Sequence, residues 1–139
     1  MNDHEQKLIA AFIVKSKRDR YRFLLTSGDP NTRSEALDRL NHCRDFDERF
    51  VTWLPRDPRS TTRRTEIALA LQQKGSPANI YVLASACPAD GKIMPLLEAM
   101  NAIESAGWGA IISCIPGQLA YYFDEEGDRR AILERKPCP

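Results

Sequence analysis

The residues best suited to catalytic chemistry lie in a loop that follows a strongly apolar segment. Residues 79–85 are β-forming and almost uncharged, which is typical of a strand covered on both faces. Ligands often bind where strands end, and a thiol beside a helix N-terminus has a lowered pKa that favours nucleophilic chemistry. The sequence therefore offers four catalytic candidates, which are Cys87, Asp90, Lys92 and Cys114.

A structural turn is the competing interpretation of this loop, and it is the one we favour. Asp90-Gly91 is a common turn pair whatever the function. A cysteine nucleophile also needs a base, and the chain contains only His4 and His42, both distant in sequence from the loop. Catalysis at this loop is therefore a secondary hypothesis.

A second group of residues is suited to binding anions. Arginine side chains, neighbouring hydroxyls and the start of a helix can all contact phosphate oxygens, and a tryptophan can stack on a base. The predicted binding residues are Trp53, Arg56, Arg59, Arg63 and Arg64. Alternatively, the arginines lie on a solvated helix face and pair with nearby acidic residues.

Hydrophobic spacing and turn signals predict the elements that position these residues. Helices are expected at 4–14, 17–27, 32–44, 60–74 and 95–107, and strands at 50–54, 79–85, 109–115, 119–123 and 130–134. We predict one α+β domain, in which N-terminal helices pack on a small mixed β-sheet of four to five strands. A C-terminal βαβββ unit would place the strands at 79–85 and 109–115 side by side and parallel.

The charge is nearly balanced overall but unevenly distributed. Lys and Arg number 20 against 19 Asp and Glu, which gives a net charge of +1 over 139 residues. Residues 1–74 carry 15 basic and 11 acidic side chains, whereas residues 75–139 carry 5 and 8. The basic helical half and the acidic strand-rich half either neutralise each other within the fold or leave the arginines free for a partner.

Several classes of protein lack support in the sequence. No secretory signal is visible, and the uncharged segment 105–123 contains Pro116-Gly117, which favours a hairpin over a membrane span. Four widely spaced cysteines without a C-x-x-C pair predict reduced thiols and no zinc site. We therefore expect a cytoplasmic protein without a metal or other cofactor.

The leading functional hypothesis is a small non-enzymatic binding or regulatory domain that acts through protein contacts, including self-association. It rests on the uneven charge and on the lack of a recognisable catalytic motif. The alternatives are a small enzyme or anion-binding protein that uses residues 87–92 with Cys114, and a weak nucleic-acid or phosphate binder that uses residues 56–64.

Overall fold

The structure is a computed structural model that describes residues 2–41, 45–55, 60–85, 87–106, 109–124 and 129–136. These residues form five α-helices, two short 3-10 helices at Lys15–Lys17 and Glu48–Phe50, and one β-sheet. The α-helices are α1 (Asp3–Phe12), α2 (Arg18–Thr26), α3 (Pro30–Asn41), α4 (Ser60–Gln73) and α5 (Leu96–Ala106). The helices lie within about four residues of the predicted ranges.

The described residues contribute six strands to this sheet, in the order β1-β6-β5-β4-β2-β3. They are β1 (Val51–Trp53), β2 (Asn79–Ala84), β3 (Ile93–Pro95), β4 (Ala110–Ile115), β5 (Leu119–Phe123) and β6 (Arg130–Glu134). Every neighbouring pair is antiparallel. The prediction of an α+β fold is confirmed, and the last three strands of the predicted βαβββ unit, β4, β5 and β6, pair in sequence order.

The predicted strand number and the predicted parallel pair were wrong, and β3 explains both errors. This strand of three residues folds back on β2, so that Tyr81 lies opposite Ile93. The chain therefore enters α5 from a strand that already runs against β2. The helix returns it to β4 in the same direction as β3, so β2 and β4 pair antiparallel with Tyr81 opposite Ser113. The sheet has six antiparallel strands and is not mixed.

Alternating side chains of the sheet build two apolar cores. One face packs against α1, α2 and α3 and includes Tyr122 and Leu133, whereas the other packs against α4 and α5 and includes Tyr121 and Ile132. This alternation follows from the two-residue repeat of a strand. The N-terminal helices therefore cover only one of the two faces.

The uncharged segment that includes β4 and β5 forms the predicted hairpin, not a helix. Its turn contains Gly117 at a φ of +70°, a conformation that glycine adopts without strain. A Cβ atom at this position would lie 3.1 Å from the Cβ atom of Lys7, so the glycine also allows the turn to approach α1 closely. No helix among the described residues is long and apolar enough to cross a membrane.

Candidate functional site

The loop between β2 and β3 contains three of the predicted catalytic candidates, and they do not converge on a common point. Asp90 turns toward α3, where its carboxylate accepts hydrogen bonds from Arg33 at 3.0 and 3.1 Å and from the backbone N–H of Ala84. Cys87 is half-buried and packs against the core beneath α4 and α5, whereas Lys92 is exposed. The Asp90 side chain thus connects the loop to α3 and to the end of β2.

Cys114 lies near the opposite end of β2 from this loop. Because Tyr81 pairs with Ser113, Cys114 lies beside the start of β2, about four residues or ~13 Å along the strand from its end. Its thiol is buried in the core under α4 and α5, and burial raises the pKa of Cys114 to about 11. The loop and Cys114 therefore do not form one cleft.

A buried polar network connects the loop to the N-terminal helices. We use this name for six side chains that come from α1, α3, β2, β4 and the loop between β2 and β3, namely His4, Glu5, Arg33, Tyr81, Asp90 and Ser113. Glu5 is buried and accepts hydrogen bonds from the Tyr81 hydroxyl and from Arg33, the latter at 3.3 Å to each oxygen. Arg33 therefore joins two carboxylates, and its hydrogen bond with Asp90 contributes most to raising its pKa.

His4 and Ser113 complete the network on the same face of the sheet. The Nδ1 atom of His4 lies 2.8 Å from the Ser113 Oγ atom, and the His4 ring stacks on Tyr81 with centroids 5.2 Å apart. Burial lowers the pKa of His4, while burial and then the hydrogen bond to Glu5 raise the pKa of Tyr81 to about 12. Ser113 is only 1% exposed, so this serine–histidine pair does not present its hydroxyl to a substrate.

Beside the network lies a small cavity of about 170 Å³ whose lining includes Arg33, Asp90 and Ser85. Both charged groups at its wall already bind each other. The network thus resembles a catalytic constellation in composition, but its polar groups are used to hold helices to the sheet.

The predicted arginine surface lies partly outside the described residues, which exclude Arg56, Arg59 and the side chain of Arg63. Arg64 is described and lies between α4 and α5. Its Nε atom is 2.7 Å from Glu104, whose other oxygen lies 3.3 Å from Arg130. Burial raises the pKa of Glu104 despite these two arginines. Arg64 therefore joins two helices through an ion pair.

Trp53 lies on β1 at the edge of the sheet and is half-buried. Its indole N–H donates to Glu48 at 3.2 Å, and the Arg129 guanidinium lies 4.3 Å from its ring centroid. The ring edge packs on Tyr122 in a T-shaped arrangement. One face of the tryptophan is thus occupied by an arginine of the same chain, a cation–π contact.

A different cationic site lies where α1 meets the turn between β4 and β5. We call it the basic groove. It encloses about 350 Å³ and is lined by Lys7, Ala10, Ala11, Pro116, Gly117, Gln118, Arg135 and Lys136. Three of these eight residues are cationic and none is acidic. A smaller cavity of about 200 Å³ adjoins it and shares three of these residues.

Arg135 is held in a fixed position at the groove. Its guanidinium donates to the carbonyl of Ala11 at 3.3 Å and lies 4.7 Å from the ring centroid of Phe50. Its backbone N–H donates to Gln118 at 2.9 Å. The first contact places a positive charge at the C-terminal turn of α1, where the helix dipole is negative. These contacts fix the cation before any ligand arrives.

The other two cations of the basic groove are less constrained. Lys7 pairs with Asp3 at 3.3 Å, and both side chains are largely exposed. Lys136 is exposed and has no ion-pair partner among the described residues. The groove is therefore electropositive and open to solvent.

Comparison with protein-family models, with curated proteins and with solved structures found no match to this chain. Functional interpretation therefore rests on geometry.

Sequence reasoning missed the basic groove and, apart from Asp90, the polar network. Glu5 gave a usable signal, since it shares the apolar stripe of α1 with Leu8, Ile9 and Phe12 and is a charge where the spacing demands an apolar residue. Lys7 and Arg135 are far apart in sequence and carried no such signal. His42 and Cys43 lie outside the described residues, and within these residues no three His, Cys, Asp or Glu side chains gather as a metal site would require.

Proposed function

We propose that the protein is a non-enzymatic binding domain that acts through protein contacts, and that its basic groove binds an acidic segment of a partner protein. The observation that carries this proposal is the groove itself, about 350 Å³ lined by three cations and no acid. Cationic side chains that a fold leaves open to solvent bind anionic ligands through complementary charge.

The shape and lining of the basic groove favour a short peptide. Its lining includes Ala10, Ala11 and Pro116, which suits an apolar side chain placed between carboxylates. Arg135 can bind one carboxylate with the guanidinium nitrogens that do not contact Ala11, and lysine ammonium groups can bind others. Since Arg135 is already ordered, binding loses less side-chain entropy than at a mobile arginine.

A long nucleic acid fits this surface less well. Duplex DNA and extended single strands bind along a continuous basic stripe. Here Lys7 is neighboured by Asp3, and Lys74 in the adjoining cavity pairs with Glu134 at 3.3 Å. Acidic residues therefore interrupt the positive surface within a few residues of the groove.

The polar network supports a binding role over a catalytic one. Its charged groups are hydrogen-bonded to each other, and its serine is buried. The buried thiol of Cys114 has a raised pKa, which opposes formation of the reactive thiolate. Of the four predicted candidates, the enzyme hypothesis keeps the half-buried Cys87 and the exposed Lys92, and Cys114 lies too far along β2 to join them.

The test is a fluorescence anisotropy titration with a labelled peptide of sequence Glu-Glu-Leu-Glu-Glu at low and physiological salt. We expect saturable binding that weakens with salt and is at least tenfold weaker for the double variant Lys7→Glu/Lys136→Glu. The matched control is Lys15→Glu/Lys17→Glu, which changes the net charge equally at two exposed lysines outside the groove.

Equal loss of binding in the two double variants would show a general charge effect and would refute the groove. A single-stranded oligonucleotide serves as competitor. If it binds more tightly than the peptide and loses affinity in the groove variant, the nucleic-acid alternative replaces this proposal.

A further inference from the structure

The edge of the sheet at β3 has the features of a surface that pairs with a copy of itself. Antiparallel pairing with β2 uses alternate residues: the carbonyl of Lys92 accepts from Val82 at 3.0 Å, and the N–H of Leu96 donates to Ala78 at 3.2 Å. The backbone N–H and C=O of Ile93 therefore point away from β2, toward the edge at which the described sheet ends. Such a residue can exchange two hydrogen bonds with the same residue of a second chain.

Two large apolar side chains lie beside this open edge. Ile93 is 62% exposed and Leu97, on the first turn of α5, is 45% exposed. Ile93 shares the sheet face of its neighbour Tyr81, which packs beneath α1, α2 and α3, whereas Leu97 belongs to the layer of α5 on the other face. One apolar residue thus borders the edge on each side of the sheet.

Opposite charges accompany these apolar residues. Lys92 and Glu98 are exposed, and neither has an ion-pair partner among the residues that the structure describes. Strand alternation places Lys92 with Met94 on the α5 side, the same layer as Glu98. We call Lys92, Ile93, Leu97 and Glu98 together the edge patch.

We propose that the edge patch forms a two-fold dimer between copies of this chain, with β3 of each copy paired antiparallel about Ile93. This interface is independent of the basic groove. A two-fold axis through the paired Ile93 residues places Ile93 against its copy on one face of the sheet, and it brings the Leu97 side chains of both copies to the interface on the other face, one on each side of the axis. It also places Lys92 of each copy near Glu98 of the second copy, which gives the interface complementary charge.

Pro95 limits this pairing to a short stretch of β3 and to one register. It has no N–H group, so the next outward-facing position of β3 cannot complete a further hydrogen-bonded pair. The edge therefore selects Ile93 against Ile93 and resists longer β-pairing with unrelated strands.

The experiment is sedimentation velocity on the full chain across a hundredfold range of protein concentration. We expect a reversible monomer–dimer equilibrium whose dissociation constant rises at least tenfold in Leu97→Glu. The control variant Phe23→Glu introduces the same charge at another exposed apolar residue, on α2, and should leave the dissociation constant unchanged. Circular dichroism verifies that each variant is folded.

Charge exchange makes the test specific to this arrangement. Lys92→Glu and Glu98→Lys should each weaken the dimer about threefold to tenfold, as expected when each of the two symmetry-related pairs is worth ~0.5 kcal/mol, and the double variant should restore the dimer. A chain that is monomeric at every concentration overturns the proposal. So does a dimer that Leu97→Glu leaves intact, or single-variant losses that the double variant does not repair.

Discussion

The polar network and the basic groove are both built on α1, and they use charge in opposite ways. In the network, Glu5 is buried and Arg33 binds two carboxylates, so each charged group has a partner within the fold. In the groove, Lys7 and Lys136 face solvent and Arg135 alone is fixed. Charged residues of one helix thus serve the stability of the fold in one place and remain available to a ligand in another.

This difference shows why residue type alone misleads at such a site. The network contains serine, histidine, tyrosine and carboxylates, which are the groups expected of a catalytic site. The groove contains only lysine, arginine and small residues, which are ordinary at a surface. Burial and pairing depend on the fold, and they distinguish polar residues that stabilise the fold from polar residues that are free to bind a ligand.

Removing Glu5 should give the largest effect on stability. In Glu5→Ala, Arg33 loses one of its two carboxylates and the buried Tyr81 hydroxyl loses its acceptor. We expect a loss of about 3 kcal/mol in the free energy of unfolding, measured by urea denaturation.

The control for Glu5 is Glu35→Ala. Glu35 is half-exposed and pairs with Arg39 at 3.4 Å and Arg20 at 3.8 Å on the surface, so its removal should cost less than ~1 kcal/mol. Equal losses in the two variants would remove the distinction between buried and open charge on which the comparison rests.

A smaller effect on stability is expected at Gly117, the groove residue whose backbone conformation and close contact with α1 favour glycine. In Gly117→Ala, a Cβ atom would lie 3.1 Å from the Lys7 Cβ atom and 3.3 Å from the Lys7 carbonyl oxygen, at a positive φ. We expect a loss of about 2 kcal/mol in urea denaturation, together with weaker peptide binding.

Gly28→Ala is the matched variant, since a Cβ atom there meets nothing within 4 Å. It should leave stability within ~0.5 kcal/mol of the parent chain. If Gly117→Ala is equally harmless, the close approach of the turn to α1 does not shape the groove.

The smallest effect concerns pH and His4. Burial lowers the pKa of His4 in the folded chain below its ordinary value of 6.5, so between these two values the unfolded chain binds more protons. The stability that His4 contributes is therefore present above pH 6.5 and is lost as pH falls through the folded pKa. The difference in unfolding free energy between the parent chain and His4→Asn should shrink from pH 7.5 to pH 5. A constant or growing difference would contradict this assignment.

The local elements could be predicted from the sequence because their signals are local. The helix at 60–74 and the hairpin around Pro116-Gly117 are both found close to the predicted positions. The strand β3 was missed because three residues ending in Pro95 resemble the start of a helix. This one omission reversed the predicted direction of β4 and wrongly placed Cys114 beside the loop at residues 87–92.

The polar network and the basic groove could not be predicted because their members meet only after folding. Ser113 reaches His4 across 109 positions, and Arg135 reaches Ala11 across 124. A sequence pattern reports neighbours within a few residues, whereas these contacts depend on which strand lies beside which. The arginines at 56–64 were prominent in sequence for the opposite reason, since they are clustered locally.

Urea denaturation of Lys7→Ala/Lys136→Ala, with and without the acidic peptide, tests the central claim most directly, because it measures fold and binding together. Without peptide, we expect a free energy of unfolding within ~0.5 kcal/mol of the parent chain. With peptide at about one hundred times its dissociation constant, the parent chain should gain ~2.7 kcal/mol and the variant much less. A variant that is clearly unstable alone, or that gains as much from the peptide as the parent, would contradict the claim that these cations serve a ligand and not the fold.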